Sequence, residues 1–251
     1  MEYYITQENE TTKLKTYVDL DYIDFEEKEM NRTLAWAFIK MHQSDENGWC
    51  HEDECLELYS VSDTLIEKVQ ETCHGHAVGI KIHDGWFEVY FYMDSAKGFE
   101  NSVKEVLREA NYISFEAAFT RDAKWDNYFH ELLPDARASI QMQNREIVEA
   151  LLCEDDDLSI ARQVEHYCFF QTASQEARCT ERMLDAGFVY KDKVEDKTSE
   201  YPYGVALTQK HDVLLETAES MSDTILDLIK PDHGVYTGWS TTLAVDIVEE
   251  A

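Results

Sequence analysis

Basic residues are scarce beside acids here: 22 Lys+Arg face 52 Asp+Glu, a formal net charge of −30 over 251 residues. That imbalance argues against direct nucleic-acid binding, because a phosphate backbone is held by a cationic footprint. It argues equally against an anionic membrane surface. Glycine (9) and proline (3) fall below average usage, so the chain is neither a linker nor a low-complexity segment. Cysteine is sparse as well. With no export signal in view, Cys50, Cys55, Cys73, Cys153, Cys168 and Cys179 are expected to be reduced thiols of a cytoplasmic protein. The start, Met1-Glu2-Tyr3-Tyr4, has neither the basic region nor the apolar stretch of a signal peptide. The longest apolar runs, such as Ala35-Trp36-Ala37-Phe38-Ile39, fall far short of the roughly 20 residues that a membrane span needs. Also missing are Gly-x-Ser-x-Gly, a phosphate-cradling glycine loop and His-Glu-x-x-His.

Hydrophobic residues make up 44% and aromatics 12%, which separates this chain from disordered acidic segments. The charge is spread evenly, −16 up to Arg137 and −14 beyond it. Such a field fits a solvated surface or a partner with a basic surface.

Alternation predicts strands at Thr16–Leu20 and Thr33–Met41, with a polar loop from His42 to Glu54. Leu56, Leu58, Val61, Leu65, Ile66 and Val69 fall on one helical face. His76–His83 and Trp86–Met93 alternate on either side of Asp84-Gly85, a strong hairpin signal. Val103, Val106, Leu107 and Ala110 mark a helix, Ile113–Phe119 a strand, and Pro134 a stop. Without the first strand, the order is β-α-β-β-α-β.

The second half repeats that order. A helix with Ile140, Ile147, Val148, Leu151 and Leu152 on one face stops at four acids, Glu154-Asp155-Asp156-Asp157, which the helix dipole disfavours at a C-terminus. They are expected in an exposed loop. Strands follow at Arg162–Phe170, Phe188–Val194, Tyr203–Lys210 and Trp239–Val248, with helices at Ser174–Ala186 and Val213–Ile229. The fold expected is α+β: two tandem ferredoxin-like domains, 1–137 and 138–251, each an antiparallel sheet with helices on one face.

Candidate chemistry is thin. Cys50, His51, Cys55, Cys73, His74 and His76 include zinc-ligand residue types, but Cys-His-x-His is not a usual structural spacing. His166 and Cys168 share a strand face, yet an acidic chain disfavours thiolate. No catalytic residue, metal or cofactor is expected. Two local motifs are more specific. In Asp122-x-x-Trp125-x-x-Tyr128 the aromatics stand at i, i+3, as in a plug beneath a sheet. In Gly234-x-Tyr236-x-Gly238-Trp239 two glycines permit a sharp entry into the last strand.

From about 140 to 248 the chain resembles the regulator of ribonuclease activity B family. The likeness rests on Asn144-Arg145-Glu146-Ile147-Val148-Glu149-Ala150-Leu151-Leu152 with its acidic tract, Val164-Glu165-His166-Tyr167, Leu184-Asp185-Ala186-Gly187-Phe188 and Val235-Tyr236-Thr237-Gly238-Trp239. Residues 1 to about 137 resemble an uncharacterised bacterial domain often fused to it. Tyr17-Val18-Asp19-Leu20, the Gly85–Tyr92 hairpin arm and the Asp122 motif carry that likeness. The resemblance implies a cytoplasmic, non-enzymatic protein that binds endoribonuclease E and alters its RNA cleavage or assembly. Only Glu249 and Glu250 stand where enterobacterial members carry a long acidic tail, and Thr237 replaces a common acid. On this reading the partner offers a basic protein surface. Glu154, Asp155, Asp156 and Asp157 steer it, and Tyr236 and Trp239 are candidate anchors. A small-molecule sensing module is the alternative.

Overall fold

A computed structural model of the protein describes residues 1–7 and 13–244. The chain forms two compact units, Met1–Pro134 and Asp135–Ala251. Both are antiparallel sheets joined through helices, an α+β architecture.

In the first unit, β1 (Glu2–Gln7), β2 (Lys13–Val18) and β3 (Thr33–Lys40) lead to α1 (Glu52–Cys73). Then come β4 (His76–His83), β5 (Trp86–Met93), α2 (Phe99–Glu109) and β6 (Phe115–Arg121). The sheet order is β1-β2-β4-β5-β3-β6. Alternation in β5 turns Phe87, Val89, Phe91 and Met93 to the core formed with Leu58, Leu65 and Val69 of α1 and Val103 and Leu107 of α2. Asp84 and Gly85 both take positive φ, as the tight turn between β4 and β5 requires.

Three sequence expectations need correction here. Strand β1 was not foreseen; it pairs along β2, and the Tyr4 hydroxyl donates to the Leu132 carbonyl at 2.9 Å. The expected strand at Ile113–Phe119 begins two residues later, at Phe115, and Ile113 is exposed. Cys50 and Cys55 are not reduced thiols but form a disulfide across the first turn of α1. Composition speaks for the usual thiol state of a compartment, whereas the loop brings these two Cα atoms to 5.2 Å, within bridging reach.

The Asp122 motif packs on Tyr92. The Trp125 ring stacks on Tyr92 with centroids 3.9 Å apart, and its N–H donates to the Asn31 carbonyl at 2.7 Å. Tyr128 donates to the Asp19 carbonyl at 2.7 Å. Asp122 accepts from the Tyr92 hydroxyl and from the amides of Asp126 and Asn127. Trp125 itself takes φ +59 rather than a helical value, so the plug is held by these bonds and not by one helical face.

The second unit runs α3 (Ala136–Cys153), β7 (Arg162–Phe170), α4 (Ala173–Asp185), β8 (Val189–Glu195), β9 (Tyr203–His211), α5 (Leu215–Ile229) and β10 (Val235–Thr241). Its sheet order is β10-β7-β9-β8. Asp135 caps α3 through the Ala138 amide, and Thr172 with Gln175 forms a capping box at α4. Cys168, Phe170, Val205 and Leu207 from the sheet meet Cys179, Met183, Ile225 and Ile229 from the helices. Strand β10 starts at Val235 rather than Trp239, and the part of the expected strand after residue 244 lies outside the described residues. Gly234 is required where α5 hands over to β10: a Cβ there would stand 2.4 Å from the Phe170 ring. Among the described residues no helix is long and apolar enough to cross a membrane.

Candidate partner-binding site

The acidic tract is a folded turn. After Cys153 the amides of Glu154, Asp155 and Asp156 return to the Leu151 and Leu152 carbonyls at 3.1–3.2 Å, and Asp155 takes φ +57. This satisfies the helix's last carbonyls. The turn also carries Asp156 inward, to 6% exposure. Its carboxylate receives Nη1 and Nη2 of Arg162, each at 2.6 Å, and the Ala244 amide at 2.8 Å. Those hydrogen bonds, led by Arg162, hold its carboxyl below the usual range. Arg162 also donates to the carbonyls of Asp157, Ile160 and Thr242. Asp156 therefore closes a clamp, and only Glu154, Asp155 and Asp157 face solvent.

The two candidate anchors are inside. Tyr236 is 4% and Trp239 6% exposed; in β10 both pair with inward positions of β7, Cys168 and His166. A ring in the core has no face to offer a partner. Each ends instead in a buried polar network. Trp239 Nε1–H donates to Asn144 Oδ1 at 2.8 Å, and Asn144 Nδ2 donates to Ser222 Oγ at 3.1 Å. Tyr236 Oη lies 2.8 Å from His166 Nδ1, and His166 Nε2 lies 3.4 Å from His211 Nε2.

The proton positions follow from valence. The Asp212 carbonyl beside His211 Nδ1 can only accept, so that nitrogen carries the hydrogen. With its hydrogen on Nδ1, His211 accepts at Nε2 from the His166 Nε2–H. His166 Nδ1 is left to accept from the Tyr236 hydroxyl. Burial, with His211 adding a smaller push, holds the His166 pKa down to about 3. In the sequence Asn144 stands out only as the start of a family-like helix stretch, and Ser222 not at all. Their signal is a polar side chain at an inward position of an otherwise apolar helical period.

The remaining candidates do not assemble into a reactive centre. Cys168 faces the core beside Cys179, and burial pushes its thiol far above the ordinary range, the opposite of an activated nucleophile. Cys55 is oxidised onto Cys50, and among the described residues no three His, Cys, Asp or Glu side chains converge as metal ligands. His74 and His76 line a shallow pocket with Glu27, Glu29, Arg32 and Asp94.

Comparison with known families gives two matches. Residues 3–133 match the Family of unknown function (DUF695), and residues 141–241 match Regulator of ribonuclease activity B. No curated protein matches the chain. Solved structures similar to it include an unknown protein from Galdieria sulphuraria, at 9% identity and TM-score 0.21, covering 86% of this chain and 99% of that one. A putative glycine cleavage system transcriptional repressor also matches at 9% identity, with TM-score 0.23, covering 85% and 99%. At those scores neither likeness bears on fold or function.

Proposed function

The chain belongs, through residues 3–133, to the DUF695 family of unknown function, and from residues 141–241 we propose that it is a non-enzymatic regulator that binds a ribonuclease. The match of those residues to the regulator of ribonuclease activity B family carries the reading. Each unit is read as a ferredoxin-like domain, with the division near 137. Support comes from the orders β4-β5-β3-β6 and β10-β7-β9-β8, which coincide when β3–β6 and β7–β10 are each counted from one and the second order is read in reverse. The partner is a basic protein surface of an endoribonuclease E-like enzyme. RNA-binding regions are basic, and a chain of net charge −30 is steered towards them in the cytoplasm while being repelled by RNA and anionic membranes.

Steering falls to Glu154, Asp155 and Asp157, while Asp156, Tyr236 and Trp239 hold the surface in shape. The test is association kinetics with the purified ribonuclease at several salt concentrations, using a Glu154→Gln, Asp155→Asn, Asp157→Asn variant that leaves the Asp156 clamp intact. Association should slow and its salt dependence flatten, with RNA cleavage restored towards the unregulated rate. Binding insensitive both to salt and to the variant would remove the electrostatic account. A second reading, a small-molecule binding module, is favoured by a cleft at the end of α5.

A further inference from the structure

Cations are rare in the second unit and almost all are engaged. Beyond residue 137 there are nine Lys and Arg. Arg145, Arg162, Arg178, Arg182, Lys191, Lys193 and Lys197 each meet a carboxylate. Among the described residues that leaves Lys210 and Lys230 with no carboxylate partner.

Lys230 sits on the rim of a cleft of about 470 Å³, within the size range of small-ligand sites. The start of α3, the end of α5 and the entry to β10 enclose it, with Tyr201 contributing a ring. Its apolar lining comes from Leu226, Ile229 and Val235. Its acids are already committed: Asp135 caps α3 through the Ala138 amide, and Asp227 faces Arg137 at 3.3 Å. Arg137, also in the lining, is held by Asp223 and Asp227, and Tyr201 brings a hydroxyl; His233 is an imidazole with no hydrogen-bond or ion-pair partner of its side chain among the described residues.

The rim is also held in place. His233 takes φ +51 as the left-handed cap that ends the turn after α5. The His233 amide bonds the Lys230 carbonyl at 3.1 Å, and the Gly234 amide bonds the Ile229 carbonyl at 3.3 Å. Gly234 fixes the approach of that turn to Phe170.

We infer that this cleft binds a small organic anion, a carboxylate carried on a flat apolar body. The carboxylate lies between the Lys230 ammonium and the His233 N–H, and the body lies against Leu226, Ile229, Val235 and the Tyr201 ring. In a chain that repels anions overall, an ammonium left without a carboxylate on the rim of a cleft with apolar walls admits only ligands whose body gains from burial. Simple inorganic anions gain too little there. The site is independent of ribonuclease binding.

The probe is 2-naphthoate, titrated into the full-length protein and followed by its own fluorescence, with 2-naphthalenemethanol as the uncharged counterpart. Naphthoate should bind in the micromolar to low millimolar range and the alcohol about tenfold more weakly or worse, a gap of about 1.4 kcal/mol. A Lys230→Gln, His233→Asn variant, in which Asn tolerates the left-handed turn, should keep the melting temperature and lose affinity by tenfold or more. A Lys210→Gln control should bind as the parent does. No binding at millimolar naphthoate, equal binding of the alcohol, or unchanged affinity in the rim variant would each overturn the inference. So would preference for an acidic peptide over naphthoate, which would make the cleft a protein-docking site.

Discussion

His166 makes the stability of the second unit depend on pH in a defined window. In the folded protein it stays neutral down to about pH 3, because burial denies an imidazolium its water in a site 1% exposed, and His211 beside it adds a smaller push the same way. In the unfolded chain it takes a proton near 6.5. Between those values the unfolded state carries the extra proton. Stability is therefore whole above the ordinary histidine value and falls as pH drops, by about 1.4 kcal/mol per unit once well inside the window. From pH 7 to pH 5 the loss is about 2 kcal/mol. Ordinary carboxylates barely titrate over that interval, so the window belongs to histidine. His76, whose pKa burial also lowers, is present in parent and variant alike and cancels in their difference. Urea unfolding at pH 7 and pH 5, for the parent and for His166→Gln, should give a pH dependence about 2 kcal/mol smaller in the variant. By proton magnetic resonance, the His166 C2–H, identified by its loss in the variant, should not titrate between pH 8 and 4.5. Equal pH dependence in both proteins, or a His166 resonance moving with a midpoint near 6.5, would refute the burial argument.

Three other outcomes follow from the same geometry. Asn144→Ala strands the buried Trp239 N–H and should cost about 1–3 kcal/mol beyond the lost packing, read as a lower urea midpoint; Asn144→Asp should retain an acceptor for the indole, so equal loss in both variants would count against the bond. Arg162→Leu leaves Asp156 charged and alone and should cost about 3–5 kcal/mol, whereas Arg162→Leu with Asp156→Leu should recover much of it, and no recovery would deny the clamp. Thiol titration of denatured, unreduced protein should find four free cysteines, and six would show that Cys50 and Cys55 are not joined.

What the sequence made legible was whatever repeats along the chain. The Asp84-Gly85 hairpin, the apolar stripes of α1, α3 and α5 and the strands β3, β5, β7 and β9 follow from local period and turn chemistry. Strand β1 was missed although its partner β2 is its neighbour in sequence; what marks Tyr4 as an inward residue, its bond to the distant Leu132 carbonyl, is not local. The start of β10 was hidden because Gly234 and Gly238 punctuate it like a loop, although the first is there for the Phe170 ring. The acidic tract was legible as a helix stop but not as a clamp, since nothing local distinguishes Asp156 from its neighbours until Arg162 arrives. The anchors failed for a related reason. An aromatic next to glycine reads as exposed, yet the register of β10 on β7 turns Tyr236 and Trp239 inward.

The two buried hydrogen-bond networks, one through His166 and one through Asn144, also bear on how such a sequence can drift. An apolar core tolerates exchange of one side chain for another of similar volume, because dispersion contacts need no particular partner. Donors and acceptors do. Replacing His166 alone leaves a hydroxyl hydrogen without an acceptor, and replacing Asn144 alone leaves an indole in the same state. Each single step costs more than the finished exchange, so neutral paths through these positions are narrow and pass through pairs. Random change therefore runs freely over the solvent-facing residues and stalls at these few sites. Short islands such as Val164–Tyr167 and Val235–Trp239 can then outlast the sequence around them, because His166 in the first and Tyr236 in the second are each the other's hydrogen-bond partner.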